Sequence, residues 1–202
     1  MIDFYTARTP NGLKVHIMLE ELGMKYELHM LDLKAMDQKQ PDYLKINPNG
    51  RIPTIVDREG EYGRAIPVFE SGAILNYLAE KSHHFIGSNG FEKAQTMGWL
   101  MFQMSGIGPN FGNYNYAKNN NIPQMLNRFE VESKRLLSVM NTQLAQNEYL
   151  AGGFYSIADI ATYPWIAAYL KSKPEWFELN PHVRRWADLI GQRPAVKKVM
   201  NA

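Results

Sequence analysis

The chain opens strand, helix, strand, and that order leaves few folds available to it. Ile2 to Tyr5 is a short run of strand character. Val15, Met18, Leu19 and Leu22 then fall at i, i+3, i+4 and i+7, the apolar stripe of a helix packed on a sheet. Gly23 is placed to end that helix in a left-handed conformation. Tyr26, Leu28 and Met30 alternate with Glu27 and His29, so a second strand is expected. A helix between two strands this close in sequence implies a right-handed crossover and parallel pairing. Pro53 to Val56 and Ile66 to Phe69 flank the polar stretch Arg58-Glu59-Gly60-Glu61-Tyr62-Gly63, which predicts an antiparallel hairpin. Ile74, Leu75 and Leu78 give a further helical stripe.

From residue 91 the strand signals stop. Helices are expected over 91–117, 123–146, 156–170, 180–191 and 194–201. The predicted class is therefore α/β followed by all-α: a mixed module at 1–82, a linker at 83–90 carrying Gly87-Ser88-Asn89-Gly90, and a helical module at 91–202. Ser156-Ile157-Ala158-Asp159 reads as a capping box that starts a helix, with Tyr155 and Ile160 placed for a hydrophobic staple. The cap makes Asp159 structural rather than catalytic.

The totals exclude several classes. With 22 basic and 20 acidic residues, the chain has no general electrostatic grip on nucleic acid, and no local stretch supplies one. No apolar run approaches the roughly 18–20 residues that cross a bilayer. The N-terminal residues lack the charged-then-apolar pattern of a secretory signal. There are 0 cysteines, which rules out disulfides and thiolate zinc sites and fits a cytoplasmic protein.

Three short segments carry the chemistry. Thr9-Pro10-Asn11-Gly12 opens the first helix, where unpaired N–H groups and the helix dipole favour an anion, a thiolate included. Taken alone, this tetrapeptide fits an ordinary N-cap and turn better. Ile52-Pro53 opens the first hairpin-forming run, and a cis bond there would turn the Ile52 backbone outward to pair with an extended peptide. Ser71 is expected to cap the next helix and favour a carboxylate, while Glu70 beside it can accept an ammonium group. Together they describe a pocket for a small peptide bearing both charges. Any thiol in it must arrive with the ligand.

The chained motifs resemble the cytosolic glutathione transferases over essentially the whole chain. They are Thr9-Pro10-Asn11-Gly12, Asn47-Pro48-Asn49-Gly50-Arg51-Ile52-Pro53, Phe69-Glu70-Ser71-Gly72-Ala73-Ile74 and Ser156-Ile157-Ala158-Asp159. With Gly106-Ile107-Gly108-Pro109 they are most similar to the bacterial nu class. The resemblance implies a thioredoxin-like first domain, a helical second domain, a homodimer, and two glutathiones or glutathione disulfide per site, with no metal. It implies that Ile52, beside a cis Pro53, pairs with the cysteinyl part, and that Glu70 and Ser71 hold the γ-glutamyl end. Thr9 and Asn11 lie near sulfur, and Gln38 and Arg128 contact the tripeptide. Arg51 stands where a lysine is common and keeps the charge. The implied reaction is glutathione-dependent disulfide reduction. Conjugation of glutathione to electrophiles, or a non-catalytic ligand-binding module, are the alternatives.

Other conspicuous residues have plainer readings. Tyr5 lies within the first strand and reads as core or cleft wall rather than as a thiol activator. Gly106, Gly108 and Gly112 lack dinucleotide-binding spacing and suit close helix packing. His83-His84 has no partner ligand at metal-site spacing. Phe111, Tyr114 and Tyr116 fit an apolar co-substrate site and helix packing equally, and Trp165 and Trp186 fall on core stripes.

Overall fold

A computed structural model describes residues 1–202, all but the side chain of Glu61 in the hairpin turn. The expected crossover forms. β1 (Ile2–Thr6) leads into α1 (Pro10–Glu21) and returns as β2 (Tyr26–Met30), parallel to β1. Gly23 follows α1 at φ +60°, where a residue without Cβ is unstrained. After α2 (Pro41–Ile46), β3 (Thr54–Asp57) and β4 (Ile66–Phe69) make the antiparallel hairpin, and β3 pairs antiparallel with β1. The sheet order is β2-β1-β3-β4. α3 (Ser71–Ser82) follows β4 and packs beside α1. Phe4, Val15, Ile17, Met18, Ile55, Ile74, Leu75 and Leu78 form the core of this unit.

The second unit contains α4 (Gly90–Phe102), α5 (Gly108–Asn119), α6 (Pro123–Gln146), α7 (Ile157–Ser172) and α8 (Pro181–Gly191). The helix expected over 91–117 forms, as an unbroken helical run over 90–119. Gln103–Ile107 adopts a π turn between α4 and α5, ahead of Pro109, which has no N–H to continue the ladder. Phe111 and Tyr114 pack against Tyr169 and Trp176, so they belong to the core, whereas Tyr116 is exposed. A Cβ on Gly106 would meet Leu136 and one on Gly112 would meet Trp165, consistent with close helix packing.

The capping box at Ser156 is complete, and its carboxylate does more than cap. Asp159 is fully buried and accepts from the backbone N–H and hydroxyl of Ser156 at 3.0 and 2.9 Å. It also accepts from the Leu150 N–H at 2.9 Å and from Trp186 Nε1 at 2.8 Å. Burial pushes its pKa up and these donors oppose the shift.

One domain boundary needs correction. The module drawn at 91–202 ends too late, because the compact units are Met1–His84 with Pro194–Ala202, and Phe85–Arg193. The reason is α9 (Pro194–Asn201), which packs on α1, buries Val196 and Val199, and pairs Lys198 Nζ with Glu20 at 2.7 Å. On β2, Leu28 is 42% and Met30 53% exposed. β2 is an edge strand with a neighbour on one side only, so alternation there does not translate into burial.

Candidate functional site

Strand register gathers the sequence-defined segments. Tyr5 pairs with Thr54, and Thr54 pairs with Phe69. The C-terminal end of β1, the start of β3 and the end of β4 thus lie in one row. Thr6 pairs with Met30, so β2 ends on the same side. Ala7 to Asn11, Ile52-Pro53, Glu70-Ser71 and the Gln38 stretch all connect to this one edge of the sheet.

At the start of α1, Thr9 has extended backbone angles and accepts the Gly12 N–H at 3.3 Å, a regular N-cap. Pro10 occupies the first helical turn, where its missing N–H costs nothing. Gly12 is required by space: a Cβ there would lie 2.3 Å from the Ala7 carbonyl oxygen and from Thr6 Oγ1. The result is a helix start whose dipole favours negative charge.

The Asn47 to Pro53 motif is held from inside. The Asn47 amide donates to the Arg51 carbonyl at 2.6 Å and to Thr54 Oγ1 at 2.9 Å. The buried Tyr43 hydroxyl donates to the same carbonyl at 2.6 Å, and the Asn49 N–H donates to Asn47 Oδ1 at 3.0 Å. Gly50 takes φ +60°. The Ile52–Pro53 peptide is cis. Arg51 is exposed on this loop.

Glu70 and Ser71 differ in detail from expectation. The cap of α3 is Glu70, at φ 69° and ψ 120°, and Ser71 is the first helical residue. A side-chain-bearing residue at positive φ costs about 1–3 kcal/mol, and such strain clusters at sites that bind or react. Glu70 is exposed and its Oε1 accepts from Asn49 Nδ2 at 3.2 Å. Ser71 is buried, and its hydroxyl accepts from Lys14 Nζ at 3.2 Å. Asn49 and Lys14, which sequence reasoning passed over, thereby join the segments to one another. Lys14 had a signal: with Ile17 and Met18 it sits at i, i+3, i+4 on a buried face of α1.

The remaining candidates are placed as follows. Gln38 lies in a short 3-10 turn, Asp37–Lys39, and its Oε1 is buried without a partner among the described residues. Arg128 is exposed on α6 of the helical unit, beside a surface cavity of about 520 Å³ that Asn110, Asn127 and Glu132 also line. Tyr5 stacks on His29 with ring centroids 4.4 Å apart, and burial raises its pKa, so it is a poor source of phenolate. Asp3, Glu27 and His29 approach one another closely enough for a metal, but the Arg58 guanidinium bonds both Asp3 and Glu27 and lowers the pKa of Asp3. His84 Nδ1 contacts the Ser82 carbonyl at 2.6 Å, a local linker contact. Among the described residues, no helix is long and apolar enough to cross a membrane.

A four-stranded mixed sheet with a cis proline before β3 and a Glu70-Ser71 pair at the start of α3, followed by a helical unit, defines a class. The family model for the glutathione S-transferase N-terminal domain matches residues 2–80, and that for the C-terminal domain matches residues 116–194. The chain belongs to the glutathione transferase family, with a thioredoxin-like first domain. It is 41% identical over 204 residues to the disulfide-bond oxidoreductase YfcG of Escherichia coli (strain K12), covering 99% of this chain and 94% of that protein. Identity to the disulfide-bond oxidoreductase YghU of the same organism is 38% over 213 residues, covering 98% and 73%. The crystal structure of a family member from Pseudomonas fluorescens pf-5 with two glutathione bound superposes with a TM-score of 0.94 at 39% identity, covering 98% of this chain and 92% of that one. A Pseudomonas putida glutathione transferase with one glutathione disulfide bound per subunit gives a TM-score of 0.94 at 38% identity, covering 98% and 90%.

Proposed function

We propose that this protein is a glutathione-dependent disulfide reductase whose attacking thiolate belongs to bound glutathione. The observation that carries the reading is the shared sheet edge: the register Tyr5, Thr54, Phe69 brings a helix start, the Ile52–Pro53 backbone and the Glu70-Ser71 pair together in a chain with 0 cysteines. The relatives named disulfide-bond oxidoreductases, and the neighbours that hold two glutathiones or their disulfide, support it.

Each residue has a role that its surroundings suit. The Thr9 hydroxyl accepts from Gly12, which leaves its own proton to donate to sulfur. Asn11, in the first turn, supplies an amide donor to the same atom. A thiol with an ordinary pKa of about 8.5 is drawn toward thiolate by such donors and by the helix start. Ile52, beside Pro53, pairs through its backbone with the cysteinyl unit. Ser71 receives the γ-glutamyl carboxylate and Glu70 its ammonium. The orphaned Gln38 Oε1 accepts an N–H from the peptide. Arg51, exposed on the same loop, attracts its carboxylates.

The chemistry balances without a protein thiol. A glutathione thiolate attacks one sulfur of a small disulfide; the S–S bond breaks, a mixed disulfide forms, and the other half leaves as thiolate and takes a proton from water. A second glutathione thiolate attacks the glutathione sulfur of that mixed disulfide. The products are glutathione disulfide and the second thiol. The bound pair supplies proximity and orientation. A cytoplasmic homodimer, as the family resemblance implies, belongs to the same reading.

The test compares glutathione-dependent reduction of hydroxyethyl disulfide with conjugation of chlorodinitrobenzene. Fast reduction with slow conjugation is expected. The reverse assigns the protein to conjugation, and binding without either turnover leaves a ligand-binding module.

A further inference from the structure

α1 carries a lysine where a soluble helix rarely keeps one. Lys14 is 1% exposed, one turn into the helix that begins at Thr9, and its Nζ lies 3.2 Å from the hydroxyl of Ser71. Burying an ammonium costs several kcal/mol unless something offsets it. Here burial drives its pKa down to about 7, while Glu70 acts in the opposite direction. A methionine of similar volume would fill the same space without that cost, so packing alone does not account for a lysine.

We infer that Lys14 is a positioning residue for the carboxylate end of the bound peptide, acting through Ser71, and that ligand binding draws a proton onto its amine. The geometry gives the reason. A hydroxyl has one proton and two acceptor lone pairs. With one lone pair taken by Lys14, the Ser71 proton is directed to another acceptor, and at the start of α3 a carboxylate is the favoured one. An ammonium one hydrogen bond behind that carboxylate adds charge in a poorly solvated place, where a charge-assisted contact is strong. A docked carboxylate in turn favours the protonated amine, so the coupling is reciprocal.

The other titratable groups on the packed elements are accounted for. On α3, Tyr77 and Lys81 bond Asp57, and Glu80 completes the set. On α9, Lys198 pairs with Glu20 and Lys197 lies beside it. On β1, Asp3 pairs with Arg58 and contacts His29, and Tyr5 stacks on His29. On α1 itself, burial lowers the pKa of His16, and Glu20 and Glu21 stand in the last turn.

The inference rests on the glutathione reading, and the experiment separates the two. The probe is S-methylglutathione, which keeps both carboxylates and the ammonium but has no thiol to titrate. Calorimetry at pH 6 and pH 8, in buffers of different ionisation enthalpy, reads affinity and protons taken up. For the wild-type protein, Kd is expected to rise about three- to tenfold between the two pH values, with net proton uptake near pH 7. Lys14→Met should bind about tenfold more weakly at pH 6, lose that pH difference and lose the uptake. In a Ser71→Ala background the same substitution should cost less than threefold, because the lysine acts through that hydroxyl. Circular dichroism confirms that each variant is folded. Wild-type and Lys14→Met proteins that bind with equal affinity and the same pH profile overturn the inference alone. A wild-type protein that binds neither the probe nor glutathione removes the glutathione reading and this inference with it.

Discussion

Asp159→Ala tests the reasoning about the helical unit most severely. The carboxylate is buried and receives four donors: the Ser156 N–H and hydroxyl, the Leu150 N–H and the Trp186 indole N–H. Loss of a helix cap costs about 1 kcal/mol. Each buried donor left without a partner costs about 1–3 kcal/mol. The Ser156 hydroxyl can rotate to another acceptor, so three N–H groups are orphaned. At the lower end of that range they come to about 3 kcal/mol, and water entering the vacated space limits the upper end. The expected loss is about 3–5 kcal/mol, or about 6–20 °C in Tm for a chain of this size. Urea and thermal unfolding followed by far-UV circular dichroism measure it. Trp186→Phe removes one donor, and its cost should shrink by about 1–2 kcal/mol in the Asp159→Ala background. An Asp159→Ala protein within about 1 kcal/mol of wild type, or a Trp186→Phe cost identical in both backgrounds, would refute the network.

Three further outcomes follow from other parts of the molecule. Asn11→Ala should lower disulfide turnover about ten- to a hundredfold while changing glutathione affinity much less; an unchanged kcat takes Asn11 out of the chemistry. Lys14→Met should alter how stability responds to pH: the wild-type amine has a pKa near 7 folded against 10.5 in its ordinary state, so the unfolded chain holds more protons between those values. Wild-type stability should therefore rise by about 2 kcal/mol relative to the variant from pH 7 to pH 9, and parallel urea midpoints across that range would contradict it. Gly12→Ala gains about 1 kcal/mol of helix propensity but drives its Cβ into the Ala7 carbonyl, an overlap worth about 1–3 kcal/mol or more; a lower Tm is expected, and a higher one would show that the approach is not rigid.

The parts of the fold read correctly from sequence are those where local pattern and packing agree. The stripe on α1, the glycine after it and the turn residues between β3 and β4 each act over a few residues, and each formed as expected. The misreadings arise where distant parts of the chain decide. The periodicity of 194–201 defines a helix correctly and says nothing about its neighbour, which is α1. Ser71 has the chemistry of a cap, yet Glu70 occupies the cap at positive φ because β4 must turn sharply into α3. The site residues were legible as motifs. What joins them was less so, since the Lys14–Ser71 contact spans 57 positions and only the folded chain brings them together.

The return of α9 to the first unit has a consequence for biosynthesis. The thioredoxin-like part is assembled from two separated stretches, Met1–His84 and Pro194–Ala202. On the ribosome α9 emerges only after the whole of Phe85–Arg193 has been made. The unit begun before Phe85–Arg193 is therefore completed after it, and a premature stop before residue 194 strips a covering layer from α1, leaving bare the surface that Val196 and Val199 cover.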